Sequence, residues 1–341
     1  MRYISELREI VKKTVTTAKQ NGKISMFSIA STANVNNREI LFPAIRETKT
    51  TVCGNALLNS ERYLKKIIKE IDGAVDIILV DSETKVSSVI NLEIKVKKFV
   101  KKSRILTFKP NDLTVDTLDA LLAQLKSPLS EKKIAVIGAG NIGSKIALKL
   151  VERGANVCIT RRNEMKVKKI ADGLNAIKSD YLNANVSYTT DNLEASKNAD
   201  VIIGATPGIP AITTEMVNNM NSNGIIIDVG NGTIFPDAIT QTEKKNIRVL
   251  CLFMKPGYDG QLETIFETEK LVKNQKKRNL GKFSIISGGI FGKRGDIIVD
   301  HVDKPTKILS IADGKGDVIS NIDDAEFHNN ISIVKKIIKG E

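Results

Sequence analysis

Short apolar runs along the chain alternate with longer segments in which apolar residues recur every three or four positions. The runs indicate buried strands, and the longer spacing indicates amphipathic helices. The predicted strands up to the middle of the chain are 24–30, 75–80, 104–108, 134–137 and 156–160. The predicted helices among them are 3–21, 61–71, 86–101, 113–125 and 146–151. Strands alternating with helices predict an α/β fold with largely parallel sheets.

The C-terminal part of the chain has a different pattern. Four short apolar runs between residues 282 and 322 are separated by glycines, and a helical pattern over 331–338 follows them. This pattern predicts a short β-rich extension with a closing helix. We therefore expect three domains, with the following bounds. These are a small N-terminal α/β domain (1–126, with a linker helix over 112–126), a Rossmann doubly wound parallel sheet (127–278) and a β-rich C-terminal extension (279–341).

The segment Lys132–Arg162 contains a glycine-rich motif in an informative context. The sequence GAGNIG at 138–143 follows a predicted strand, opens a predicted helix and precedes a second strand. In such a unit Gly138 forms a tight turn, Gly140 lets backbone reach a pyrophosphate, and Gly143 lets the helix lie close to the strand. The first helical N–H groups, at Asn141 and Ile142, are directed at the anion. The motif therefore predicts dinucleotide binding.

The residues after the second strand bear on which dinucleotide is bound. NAD sites usually place an acidic residue about 20 positions after the glycines, to hold the ribose hydroxyls. This chain has Thr160, Arg161 and Arg162 there. Guanidinium groups bind a 2′-phosphate with two parallel hydrogen bonds, whereas a carboxylate repels it. The pattern favours NADP(H); the alternative is two solvated arginines at the start of the next helix.

Two later strands end in loops of small residues. ADVIIGATPG at 199–208 leads into Ala205, Thr206 and Pro207, and GIIIDVGNG at 224–232 leads into Val229, Gly230 and Asn231. In doubly wound folds, loops at these strand ends pass close to the nicotinamide ribose, where bulky side chains do not fit. We therefore expect these six residues to line the cofactor cleft.

Together these motifs resemble the nucleotide domain of the shikimate dehydrogenase family, which is related to domains of glutamyl-tRNA reductase and methylenetetrahydrofolate dehydrogenase. The resemblance covers about residues 108–270. The resemblance implies that Arg161 or Arg162 binds the cofactor and that Gln261 faces the substrate. It also implies that Asn111-Asp112 occupies the position of the family's NTD segment. The first hundred residues contain neither the SxS loop nor the NVTxPxK motif of that family.

Ligands of open α/β sheets collect beyond the carboxyl ends of the strands. In the first domain these ends, together with a polar stretch at 45–55, supply candidate proton-transfer residues, since the chain has only two histidines. The candidates are Lys49, Lys109, Asp112 and Asp81. Each of them is equally compatible with an ordinary loop position. A glycine-rich run at 288–295 is compatible either with an anion cradle or with a hairpin turn.

Composition limits the remaining possibilities. The three cysteines occur singly, and neither a disulfide framework nor a metal site is expected. No apolar run approaches the roughly 20 residues of a membrane span, and no signal peptide is evident, so we expect a cytoplasmic protein without membrane partners. The net charge of +13 is compatible with the binding of nucleic acid. Low aromatic content disfavours that reading, which would require the basic residues to share one face.

The sequence thus predicts an NADP-dependent oxidoreductase that transfers a hydride between the nicotinamide and a small polar, anionic substrate in an interdomain cleft. The alternative is an NADP(H)-binding regulatory or sensor protein without turnover, because fold alone does not establish catalysis. A small-molecule substrate is the expected partner, and a homodimer is compatible with the sequence.

Overall fold

The computed structural model describes residues 2–33, 39–86, 88–89, 91–319, 321 and 325–340. It divides into two compact units, Met1–Gln261 and Leu262–Glu341. The first unit contains two β-sheets with their helices, and the second contains a smaller sheet. The three-domain division expected from the sequence stays a prediction.

The first sheet has the order β2-β4-β1-β5-β6, and a short strand, β3, pairs with β4. Its strands are β1 (Ile24–Ser31), β2 (Ile40–Leu41), β3 (Arg46–Glu47), β4 (Thr51–Leu58), β5 (Ile77–Asp81) and β6 (Arg104–Phe108). β1, β4, β5 and β6 are parallel, whereas β2 and β3 run antiparallel to β4. The prediction of a largely parallel sheet is confirmed.

Three helices cover one face of this sheet and share one apolar core with it. They are α1 (Arg2–Gln20), α2 (Leu64–Ile71, preceded by a 3-10 turn at Glu61–Tyr63) and α3 (Leu92–Phe99). The helix predicted over 86–101 was too long, because α3 begins only at Leu92; positions 87 and 90 lie outside the described residues. The sequence also placed 51–55 in a polar loop, which is wrong, because these residues begin the buried strand β4.

The second sheet has the order β12-β11-β10-β7-β8-β9, with all neighbours parallel. Its strands are β7 (Lys133–Ile137), β8 (Asn156–Thr160), β9 (Val186–Thr189), β10 (Val201–Gly204), β11 (Ile225–Asp228) and β12 (Arg248–Cys251). This is the doubly wound order in which two halves diverge from the first strand, and the crevice lies at the carboxyl ends where the order reverses, between β7 and β10. The predicted Rossmann domain is confirmed.

Helices lie on both faces of the second sheet. They are α4 (Pro110–Leu125), α5 (Asn141–Glu152), α6 (Glu164–Ile177), α7 (Asn192–Ser196), α8 (Thr214–Asn219) and α9 (Pro236–Lys244); α10 (Lys255–Asn274) follows β12. Helices α4, α5 and α6 contribute to one core, and α7, α8 and α9 contribute to a second core on the other face. The sequence placed the start of the linker helix at 112 or 113, with Asn111 or Asp112 as cap. In the structure the cap is Lys109 and Pro110 is the first helical residue.

The second unit holds a five-stranded sheet with the order β13-β14-β15-β16-β17. Its strands are β13 (Lys277–Asn279), β14 (Ser284–Ser287), β15 (Ile297–Val299), β16 (Ile308–Ala312) and β17 (Val318–Ile319). Only β14 and β15 are parallel neighbours. Helix α11 (His328–Lys339) packs Ile331 and Val334 into the core of this unit. The predicted β-rich extension with a closing helix is confirmed.

Candidate functional site

The glycine loop between β7 and α5 has the geometry that a pyrophosphate site requires. Gly138 has φ +109°, and a Cβ built on it lies 2.9 Å from the Ala205 carbonyl oxygen. A Cβ on Gly143 would lie 2.2 Å from the Gly138 carbonyl oxygen, so helix and loop touch there. A Cβ on Gly140 meets no heavy atom within 4 Å. Of the three glycines, only Gly140 therefore faces open space.

The first turn of α5 offers backbone donors beside this space. Gly140 is the N-cap of α5 and makes no side-chain cap hydrogen bond. The N–H groups of Asn141, Ile142 and Gly143 occupy the first helical positions, where no intrahelical acceptor exists. Together with the helix dipole, they can hold an anion at this point.

The two arginines at the end of β8 have different environments. The half-buried Arg161 donates from Nη1 to the Ala139 carbonyl oxygen at 2.7 Å, while Ala139 N donates to the Thr160 carbonyl oxygen at 2.7 Å. These two bonds fasten the buried end of β8 to the glycine loop. Arg162 is exposed. From the sequence we expected both arginines to bind the 2′-phosphate. In the structure Arg161 instead holds the glycine loop.

The small-residue loops after β10 and β11 lie against each other. A Cβ on Gly230 would lie 1.9 Å from the Thr206 carbonyl oxygen, so only glycine fits there without displacing backbone. The Thr206 hydroxyl donates to the Ile209 carbonyl oxygen at 2.6 Å and therefore stabilises its own loop. Asn231 adopts a positive φ of 58°. Ala205 N donates to the Ile137 carbonyl oxygen and Val229 N to the Gly204 carbonyl oxygen, so both loops begin beside β7 and β10.

A group of charged side chains lies at the carboxyl edge of the first sheet; we call it the edge cluster. Its members are Asp81, Glu83, Lys85, Lys109, Asp112 and, from α5, Lys145. Three carboxylates and three ammonium groups thus meet where β5 and β6 end. The cluster connects this edge to the helix that follows the glycine loop.

Asp81 lies at the buried end of the cluster. Its side chain is fully buried and accepts hydrogen bonds from Ser31 N at 3.0 Å, Ser31 Oγ at 3.1 Å and Glu83 N at 2.8 Å. Lys85 Nζ lies 2.5 Å from Asp81 Oδ2 and is itself only 11% exposed. These hydrogen bonds join the carboxyl ends of β1 and β5, so the buried carboxylate has a structural role.

This buried pair allows a test of stability. Lys85→Met is expected to lower the free energy of unfolding by about 3 kcal/mol, because it leaves the buried Asp81 carboxylate without its counter-charge. The control is Lys97→Met, since Lys97 and Glu93 form an exposed pair on α3. Loss of an exposed pair costs about 0–1 kcal/mol. Urea unfolding followed by far-UV circular dichroism measures both, and equal small losses would contradict the assignment.

The exposed end of the cluster has perturbed acid–base properties. Burial raises the pKa of Asp112, but hydrogen bonds from the ammonium groups of Lys109 and Lys145 outweigh it and hold that pKa below its ordinary value. The hydrogen bond to Asp112 raises the pKa of Lys109. At neutral pH Lys109 is therefore cationic and Asp112 anionic.

Helices α4 and α5 run side by side in the same direction. Three ion pairs join them in register, from Asp112–Lys145 through Asp116–Lys149 to Asp119–Arg153. Asn111 Nδ2 donates to Asn141 Oδ1 at 3.1 Å, and Asn111 N donates to Glu83 Oε2 at 2.7 Å. The two positive helix N-termini therefore lie next to each other.

The position of α4 decides which half of the cofactor its N-terminus faces. Helix α5 contacts α6 as well as α4, and α4 buries Val115, Leu118 and Leu122 in a core that includes Ile225 and Ile227 of β11. Helix α4 thus lies over the β10–β11 half of the sheet, and its N-terminus is on the side where a dinucleotide places its nicotinamide.

Two other sequence candidates lie elsewhere. Lys49 is exposed in the turn that joins β3 to β4, at the amino end of β4. Because β4 has eight residues, Lys49 lies roughly 23 Å along the strand from the carboxyl edge. Gln261 lies on α10, one turn after Gly257, where a Cβ would lie 1.9 Å from Thr117 Oγ1 of α4. The first turns of α10 therefore pack tightly on α4, whereas the structure does not bring Lys49 to the cluster.

Sequence reasoning missed Glu83, Lys85 and Lys145. Lys85 follows Asp81 by four residues in a loop, which carries no periodic signal, and the sequence around Lys145 is that of an ordinary helical lysine.

The glycine run at 288–295 lies in the second unit, and its hydrogen bonds distinguish the two interpretations, an anion cradle and a hairpin turn. Lys293 N donates to Asp296 and Gly295 N donates to Ala312, so these two N–H groups are already used and favour the turn reading.

The described residues contain neither a cluster of metal ligands nor a helix that could span a membrane. No group of three or more His, Cys, Asp or Glu side chains in the described ranges has an arrangement that could hold a metal ion. None of the helices described is both long enough and apolar enough to cross a bilayer.

Comparisons with known proteins agree with the geometry of the second sheet. Residues 133–232 match a family model described as "NADP oxidoreductase coenzyme F420-dependent". Glycerol-3-phosphate dehydrogenase (NAD(P)+) of Bacillus subtilis strain 168 is 29% identical over 113 residues, 32% of this chain and 32% of that enzyme. Glutamyl-tRNA reductase of Thermosipho melanesiensis is 29% identical over 117 residues, 34% of this chain and 30% of that enzyme. The chain spans about a third of the length of these relatives.

Among solved structures, shikimate dehydrogenase in complex with NADP+ superposes with a TM-score of 0.44 at 15% identity, covering 72% of this chain and 90% of that chain. The matched relatives are oxidoreductases, and the match falls on β7 to β11 and the glycine loop. Residues 133–232 are thus an NAD(P)-binding Rossmann domain, as the motifs predicted.

Proposed function

We propose that this chain is an NADP(H)-dependent oxidoreductase whose substrate lies between the carboxyl edges of the two sheets of the first unit. One observation carries the proposal: the edge cluster of the first sheet is joined to the first turns of α5, directly behind the glycine loop, through Lys145 and Asn141. Acid–base groups and a dinucleotide crevice are thereby held side by side. The oxidoreductase names of the matched relatives support this proposal for the nucleotide domain.

The residues of the crevice fit the cofactor in three places. Gly140 leaves room for the pyrophosphate, and the N–H groups of the first turn of α5 bind it. Arg162 is free to form paired hydrogen bonds with a 2′-phosphate, while Arg161 keeps the loop in place. The bound cofactor supplies the hydride, and the close packing of Gly230 on the loop after β10 keeps that loop, with the small residue Ala205, beside the place of its ring.

The edge cluster supplies the acid–base part of the reaction. Lys109, kept protonated by Asp112, can donate a hydrogen bond or a proton to a carbonyl oxygen of the substrate as the hydride arrives. Asp112 orients Lys109 and Lys145 by pairing with both. The adjoining N-termini of α4 and α5 favour a small substrate with an anionic group.

A second candidate is a sensor or regulatory protein that binds NADP(H) without turnover. It is favoured by the mutual pairing within the cluster, where all three lysines are in ion pairs with carboxylates. A charged cluster that only stabilises the fold also has all its charges paired. Assays of NADPH oxidation and NADP+ reduction against panels of small carbonyls, imines and hydroxy acids separate the candidates, since only the enzyme turns over any of them.

The different roles of the arginines predict a selectivity change. We expect NADPH to bind at least about tenfold more tightly than NADH, a difference of about 1.4 kcal/mol. Arg162→Ser is expected to remove this preference by weakening NADPH alone. Arg161→Ser is expected to weaken binding of both cofactors, because it removes one of the two bonds that join the glycine loop to β8. Calorimetric titration of the unaltered protein and the two variants with each cofactor measures all six affinities.

The matched control for these variants is Arg248→Ser, which removes an exposed arginine from the amino end of β12, at the opposite edge of the sheet. It is expected to leave both affinities within about twofold, because no cofactor group reaches that edge. Equal binding of NADPH and NADH by the unaltered protein would remove the assignment of NADP(H).

A further inference from the structure

The outer surface of the three-helix layer on the first sheet concentrates positive charge. Helix α1 packs against α2 and α2 against α3, and their buried sides form one core with the sheet. We call the opposite, solvent-facing side the helical face. Its exposed basic residues are Arg8, Lys12, Lys13, Lys65, Lys66, Lys69, Lys97, Lys98, Lys101 and Lys102. The basic residues of three separate segments thus share one surface.

The excess of charge on this layer accounts for most of the chain's net charge. Segments 3–20, 61–72 and 91–104 contain fourteen basic and six acidic residues, against a net +13 for all 341 residues. Arg8 pairs with Glu70, Lys95 with Glu61 and Lys97 with Glu93. Within the described part of the chain, no carboxylate lies within ion-pair distance of the other eight lysines of the face. Such a surface attracts polyanions.

Part of this positive charge lies in a groove on the helical face. It lies between α1 and α2, has a volume of about 520 Å³ and is lined by Tyr3, Arg8, Glu9, Lys12 and Lys66 among others. Three cations therefore surround one carboxylate in a concave site. The groove therefore has an excess of positive charge, and its concave shape strengthens the local potential above that of a flat surface with the same excess.

The apolar residues of the layer argue against a membrane as the partner. A helix that lies on a bilayer exposes a face of large apolar side chains beside its basic residues. Here those side chains face the sheet, and Ile94 is the one large aliphatic residue strongly exposed among the described residues of these three helices. Charge without exposed apolar area fits a hydrated polyanion.

We propose that the helical face binds the phosphate backbone of a nucleic-acid duplex. Packed helices lie about 9 Å apart, so the three span roughly 20 Å. A duplex carries about one phosphate per 1.7 Å of its axis, so roughly a dozen phosphates lie along that length and about half of them are on the side that faces the protein. Because aromatic side chains are scarce, the contacts are to phosphates and not to stacked bases. This proposal does not depend on the proposed catalytic function.

Fluorescence anisotropy of labelled 20-base-pair RNA and DNA duplexes tests the proposal. The test variant is Lys12→Gln, Lys66→Gln, Lys98→Gln and Lys101→Gln combined. It is expected to bind at least about tenfold more weakly at low salt. The slope of log affinity against log salt concentration is expected to fall by about 3 to 4, since each lost phosphate contact removes about 0.9. NADPH binding, measured in parallel, is expected to be unchanged and shows that the variant is folded.

A second variant controls for net charge. Lys168→Gln, Lys169→Gln, Lys197→Gln and Lys244→Gln removes four exposed lysines from α6, from the end of α7 and from α9. It is expected to change duplex affinity by about twofold or less, because these lysines belong to the helices of the second sheet and not to the helical face. Equal weakening in both variants would overturn the proposal, since only overall charge would then matter. Failure of the unaltered protein to bind either duplex would overturn it too, as would binding only to vesicles rich in phosphatidylserine.

Discussion

Replacing Gly140 with valine is expected to abolish dinucleotide binding, with an affinity loss of at least about 100-fold, while the fold stays intact. The backbone of Gly140 is extended, with φ −93° and ψ −161°, and a Cβ there meets no atom within 4 Å. A valine therefore fits the unliganded protein but occupies the space through which backbone approaches the pyrophosphate. Calorimetry with NADPH and thermal unfolding followed by circular dichroism measure the two effects.

The contrasting variant is Gly143→Ala. Its Cβ would lie 2.2 Å from the Gly138 carbonyl oxygen, so backbone must shift. We expect it to lower stability by about 1–3 kcal/mol, as overpacking does. If Gly140→Val bound NADPH normally, the glycine loop would serve packing alone and the cofactor assignment would fail.

The second large effect concerns two residues of the edge cluster, Lys109 and Asp112, and Gln261 of α10. With a substrate identified from the panels, replacing Lys109, Asp112 or Gln261 with alanine is expected to leave NADP(H) affinity within a few-fold. At least one of these variants is expected to lower turnover by about 10²–10⁴-fold, as loss of a proton-transfer group does. Steady-state kinetics with saturating NADPH measure the loss.

Lys49→Ala is the matched control, because Lys49 is an exposed lysine at the opposite edge of the first sheet. It is expected to leave turnover unchanged. The raised pKa of Lys109 keeps it protonated as the pH rises, so the rate is expected to show no loss from this group between about pH 6 and 9. Unchanged turnover in the Lys109, Asp112 and Gln261 variants alike would favour a different catalytic site.

The nucleotide domain was predictable because local signals and fold agree there. The strand, glycine loop and helix of 133–152 each carry a pattern of their own, and the parallel pairing of apolar strands follows from them. Strand β4 was missed because its sequence, TVCGNALL, mixes polar and apolar residues without alternation. Its two faces are buried by α1 and by residues distant in sequence, and burial of this kind is a tertiary property.

The residues of the candidate site likewise divide into those that the sequence predicted and those that it did not. Glycine and arginine positions were found from spacing, because backbone geometry and phosphate chemistry restrict the residue types. The edge cluster joins Asp81, Asp112 and Lys145 across more than sixty positions, and nothing in the local pattern of Lys145 reveals its partner. The Arg161 bond to Ala139 likewise depends on the side-chain direction in the folded loop. Such contacts become visible only when the sheets are in place.

A crystal structure of the complex with NADP+ tests the central claim most directly. The account predicts the 2′-phosphate within hydrogen-bond distance of Arg162 and the nicotinamide over Ala205 and Gly230. It also predicts Lys109 or Asp112 within about 10 Å of the nicotinamide ring, close enough for a substrate to lie between them. A 2′-phosphate away from Arg162, or a nicotinamide more than about 10 Å from every side chain of the edge cluster, would contradict it.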